Sequence, residues 1–137
     1  MQERRGAAYM KKNQTLSAED RIWNEFVLLV TNNEIFDLSA AQQIPAMVFW
    51  YCCALSNGGH SAFFDDYPEI DSQKLVDALN AIGAQNYAEN FMEALEFGEQ
   101  DDYRKTDDYF GNGFPSLDYK LIDYVTANKE ALGLTVK

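Results

Sequence analysis

The chain has 137 residues, 47% of them hydrophobic and 14% aromatic, and 22 acidic residues against 11 basic ones leave a formal charge of −11. That length suits one compact domain, and so much apolar surface excludes a disordered acidic tail, because its burial can offset the entropy of ordering the chain. The charge argues against direct binding to nucleic acid or to an anionic membrane, and favours a basic partner.

Residues 1–14, "MQERRGAAYMKKNQ", carry Arg4, Arg5, Lys11 and Lys12 and read as a flexible basic N-terminal arm. The stretch lacks the continuous apolar core of a secretory signal. Residues 15–137 read as a single helical domain. Ser17 is placed to cap a first helix over about residues 18–31, with Asp20 at the capping-box position and Ile22, Trp23, Phe26, Val27 and Val30 at helical spacing. A second helix begins near "SAAQQIPAMVFW", where Pro45 suits a first turn. From Ala46 to Leu55 every residue is apolar, so this helix is expected at the centre of the domain, with Phe49, Trp50, Cys52 and Cys53 largely buried. At ten residues the run is about half a membrane span.

Asn57, Gly58 and Gly59 are expected to end that helix, with Phe63 and Phe64 pinning the returning segment to the core and Ser61 capping a short turn. A third helix starts at Asp71 or Ser72, buries Leu75, Val76, Leu79 and Ile82, and stops at Gly83. A fourth spans about 85–97, with Tyr87, Ala88, Phe91, Ala94 and Leu95 on its apolar side, and stops at Gly98. "EQDDYRKTDDYFGNGFP" reads as a polar loop, and Ser116 as the cap of a last helix carrying Leu117, Leu121 and Val125. The predicted fold is all-α, a single compact domain of about five or six helices around a buried central helix.

Motifs for chemistry are absent. His60 is the lone histidine and stands in no metal-binding spacing, so no metal and no cofactor is expected. The adjacent thiols of Cys52 and Cys53 have no visible activator and read as core residues of a reducing, cytoplasmic compartment. A carboxylate-based hydrolase is an alternative from another class, but 22 acids place many pairs at suitable distances by chance. The expectation is therefore a protein without catalytic residues.

Charge is regional. Fifteen acids against four bases between Asp65 and Asp123 account for the whole excess. On the fourth helix Glu89, Glu93 and Glu96 share the polar side at offsets of four and three, where mutual repulsion opposes helix formation. Carboxylates four residues apart are separated by roughly 6 Å along a helix, so such a row can imitate a phosphate backbone. Asp65, Asp66 and Glu69 before it, and Glu99, Asp101, Asp102, Asp107 and Asp108 after it, extend the candidate partner-binding face. The plain alternative is a solvating surface.

The stretch "NGGHSAFFDDYPEIDSQKLVDALNAIGAQNYAENFMEAL" resembles the DNA-mimic protein family, small acidic helical bacterial proteins with an "NNGG-aromatic" turn after a buried helix and a later helix ending in "AIGA". The likeness spans about residues 38–128, with Leu38, Gln42, Asn57, Gly58, Gly59, Phe63, Phe64, Leu79, Ile82, Gly83 and Ala84 in place. His60 stands where an aromatic residue is commoner in the family. The resemblance implies a helical fold and an acidic surface that occupies the DNA-binding face of a basic protein such as a helix-turn-helix repressor. An immunity or antitoxin-like inhibitor of a nuclease is the alternative within that class, and both readings are compatible with a homodimer.

Overall fold

A computed structural model of the protein describes residues 17–135. Residues 1–14, read above as a basic arm, lie outside the described residues. Six α-helices form one domain with no strand among the described residues: α1 (Ala18–Thr31), α2 (Ala40–Asp66), α3 (Ser72–Ala81), α4 (Gln85–Phe97), α5 (Arg104–Asn112) and α6 (Leu117–Ala127), with 3₁₀ turns at Ile35–Asp37 and Gly98–Asp101. The helix-cap chemistry accounts for several starts. Ser17 Oγ accepts from the Asp20 amide at the head of α1, and Asp71 Oδ2 accepts from the Lys74 amide at the head of α3. Ser39 and Gln42 bond reciprocally as a capping box, which opens α2 six residues before Pro45.

Pro45 therefore lies inside α2 and not in its first turn. The carbonyl that loses its partner to the proline ring belongs to Ala41, an exposed residue, so water can serve it. Beyond it the apolar run is buried as its composition requires, with Phe49, Tyr51, Cys52 and Cys53 all in the core. Trp50 is half-buried, set against Phe49 edge-on and stacked on Tyr67. The aromatic centre of the domain is Tyr51, whose ring meets the edges or faces of Phe63, Phe91 and Phe110 at close to right angles with centroids 5.2–5.8 Å apart.

Three further expectations are corrected. The glycines at 58 and 59 kink α2 without ending it: only Gly59 leaves helical geometry (φ 79°, ψ −168°), and helix resumes through Asp66, so Ser61 sits within a helix and caps nothing. The supposed loop at 98–112 is a 3₁₀ turn followed by α5. It was illegible because it carries almost no apolar stripe: Thr106 is its one fully buried residue, and Asp101, at the foot of the 3₁₀ turn, accepts the Lys105 amide to start it. On α4, Leu95 is exposed and Asn90 takes a buried place instead, donating to the Thr106 carbonyl at 2.9 Å. Ser116 precedes α6 in an extended conformation, but its side chain makes no capping bond.

α2 packs against α3, α5 and α6; α4 lies against α3 and α5, and α1 against α6. Beyond α6, Leu132 and Leu134 return to the core, and Gln42 holds the Leu132 carbonyl at 2.8 Å.

Candidate functional site

The kink at Gly59 brings together residues that are distant in sequence. Its positive φ and its contact with α5 both call for glycine, since a β-carbon there would collide with the Asp107 carboxylate. Immediately after the kink, the His60 amide donates to Asp107 Oδ1 at 2.9 Å, and His60 Nδ1 donates to the same oxygen at 2.6 Å. On the other side of the ring, Tyr51 Oη lies 2.6 Å from His60 Nε2. A carboxylate can only accept, so Nδ1 carries the proton and Nε2 accepts from the tyrosine. Tyr51 and His60 are fully buried, whereas the Asp107 side chain is 34% exposed. Burial pushes the Tyr51 hydroxyl well above its ordinary range and lowers His60 from 6.5, the Asp107 carboxylate opposing the second shift. The chain Tyr51–His60–Asp107 thus ties both halves of α2 to α5. With both inner members sealed from solvent, it is an internal brace.

The acids expected to face a partner fall into distinct settings. Asp65, Glu99 and Asp102 line one groove with Phe64 and Tyr103. Glu89, Glu93 and Asp108 line another beside Lys105, whose ammonium lies 2.6 Å from Glu93. Asp66 and Glu69 border a cleft at the far end of α2, beside Trp50 and Tyr67. Glu96 is exposed on α4. Asp101 accepts from the Lys105 amide, and Asp107 is committed to His60. Asp65, Asp66, Glu69, Glu89, Glu96, Glu99, Asp102 and Asp108 are exposed and have no side-chain hydrogen bond or ion pair among the described residues. Of the motif residues, Asn57, Gly58 and Gly83 are exposed, Gly59 and Phe63 are buried and Phe64 is half-buried.

Sequence reasoning missed the role of His60 and Asp107, which lie 47 positions apart. The available signal was the histidine itself at an aromatic position, since a buried imidazole needs partners for both nitrogens. Among the described residues no three or more His, Cys, Asp or Glu side chains gather as a metal-ion site. Burial, followed by the charge of Asp118, pushes the Cys52 thiol well above its ordinary range and keeps it protonated. No helix among the described residues is long and apolar enough to cross a membrane.

Fold and surface together define a small helical bundle that keeps its aromatic residues inside and displays carboxylates outside. Residues 36–130 match the family model described as DMP19-like protein, more than half of the chain, and the protein belongs to that family, a family of DNA mimics. Searches of curated proteins and of solved structures returned no match.

Proposed function

We propose that the protein is a non-catalytic DNA mimic whose acidic surface occupies the DNA-binding face of a basic DNA-binding protein. The observation that carries this reading is the set of exposed carboxylates without side-chain partners, eight of the eleven acids considered, on a chain of this family. Charges of this kind are free to exchange their hydration for contacts with Lys and Arg. They cost the isolated fold some repulsion and return nothing to it, which is the pattern expected of a surface kept for a partner.

The test begins with capture of partners from a lysate of the source cell at low and high salt. The recovered basic protein is then offered DNA in competition with the wild-type chain and with the variant Glu89→Gln, Glu96→Gln, Asp108→Asn. These three acids have no ion pair to lose, so the fold is expected to persist. We expect the wild type to displace DNA, the variant to do so several-fold less well, and both to weaken as salt rises. Competition unaltered in the variant, or indifferent to salt, overturns the reading.

A further inference from the structure

Of the acidic recesses, the one between the end of α2 and the 3₁₀ turn differs from the rest. It is a groove of about 490 Å³ walled by the rings of Phe64 and Tyr103, whose centroids are 5.7 Å apart, and by Leu95, with Asp65, Glu99 and Asp102 on its lining. Both rings are half-buried and Leu95 is exposed, so apolar surface is open to an incoming group. The two recesses beside α5 contain Lys105, which meets Glu93 there. No Lys or Arg lines this one.

The wall is fixed in place. Tyr103 lies in the left-handed region (φ 64°), and its ring presses so closely on Gly98 that a β-carbon at 98 would run into it. Behind Tyr103 stands the His60 ring, nearly parallel at 6.3 Å. The Tyr103 hydroxyl is pushed upward first by burial and then by the charges of Glu99, Asp102, Asp65 and Asp107, so the ring stands in a strongly negative field. A flat cation meets every feature of such a groove. A guanidinium is planar, stacks on aromatic faces, sheds water more readily than an ammonium and bonds carboxylates in pairs.

We propose that this groove seats an arginine side chain of the basic partner. The inference rests on the reading under Proposed function and deepens it, by making one recess an arginine-selective anchor within a surface whose other acids attract any cation.

The probes are a capped tri-arginine peptide and its tri-lysine counterpart, titrated into the full chain by calorimetry and by NMR. The arginine peptide is expected to bind about three- to fivefold more tightly, the range that a partly exposed cation–π contact supplies. The resonances of Phe64, Leu95 and Tyr103 should move. Tyr103→Leu keeps bulk and charge and should abolish the preference while leaving the lysine peptide's affinity unchanged. Should that variant fail to fold, Glu99→Gln with Asp102→Asn should weaken both peptides and withdraw the shifts from the groove. Equal affinity for the two peptides, a preference that survives Tyr103→Leu, or shifts centred elsewhere overturns the proposal. The peptide preference and the DNA competition are separate readouts. Competition without preference removes the anchor alone, and preference without competition removes the mimic and leaves an arginine-binding groove.

Discussion

His60 is a base held where water cannot reach it. Because burial lowers its affinity for protons below that of an exposed imidazole, the unfolded chain takes up a proton at a higher pH than the folded one. The sign follows directly. Stability contributed by the neutral ring is complete above about 6.5, falls as pH drops through the interval between that value and the lower folded one, and is constant below it. The groups facing the ring are Tyr51 from its own helix, Asp107 from α5, and the rings of Phe64, Phe91 and Tyr103. Asp107 alone brings an opposite charge close enough to soften the loss. We expect denaturant titrations between pH 8 and pH 5 to show the wild type losing stability relative to His60→Phe, which has no proton to gain. The variant itself should be less stable at pH 8 by about 1–3 kcal/mol, because it leaves the Tyr51 hydroxyl buried without its acceptor. A constant difference between the two across this range would falsify the assignment of His60 as buried and neutral.

Among the elements, those with an apolar stripe were legible and those held by polar contacts were not. α1, α3 and α4 carry hydrophobic residues at helical spacing, and the expected boundaries for the first and fourth coincide with the observed ones. α5 carries no such stripe. Its place depends on Asp101 at its head, on Thr106 against Asn90 and on Asp107 against the kink in α2, and none of these long-range bonds has a local signature. The glycine pair misled for a related reason. Gly59 has the positive φ of a helix end, but the buried His60 amide finds a new acceptor on α5 in place of the α2 carbonyl it has turned away from, so helix can resume. Kink and helix are therefore one unit. Gly59→Ala should strain the backbone and push Asp107 aside, at a cost of about 1–3 kcal/mol. Hydrogen exchange should quicken most in α5 and much less in α3, which does not depend on that contact. Uniform loss of protection across all helices would show instead that α5 has no separate dependence on Gly59.

For the molecule as a whole, the sequence revealed how much charge there is and where along the chain it lies, but not which carboxylates remain available. Glu93, Asp101 and Asp107 read like their neighbours and turn out to have partners at Lys105, at a helix start and at His60. The remainder repel one another across a surface with a net charge of −11. One cause then predicts two responses of opposite sign. As ionic strength rises from 0.01 M to 1 M the screening length shrinks from about 30 Å to about 3 Å, so repulsion within the free chain should fade and its thermal stability should rise. Over the same range, association with a basic partner should weaken, because the attraction it uses is screened too. The variant Glu89→Gln, Glu96→Gln, Asp108→Asn separates the two effects. It should be at least as stable as the wild type at low salt, by a few tenths of a kcal/mol for each repulsive pair relieved, and should gain less from added salt. Thermal unfolding of both chains along a salt series, with chloride and sulfate compared to separate screening from surface exclusion, measures this. Stability that falls with salt, or a variant less stable than the wild type at low salt, would mean that these carboxylates support the fold through contacts of their own and are not held in reserve for a partner.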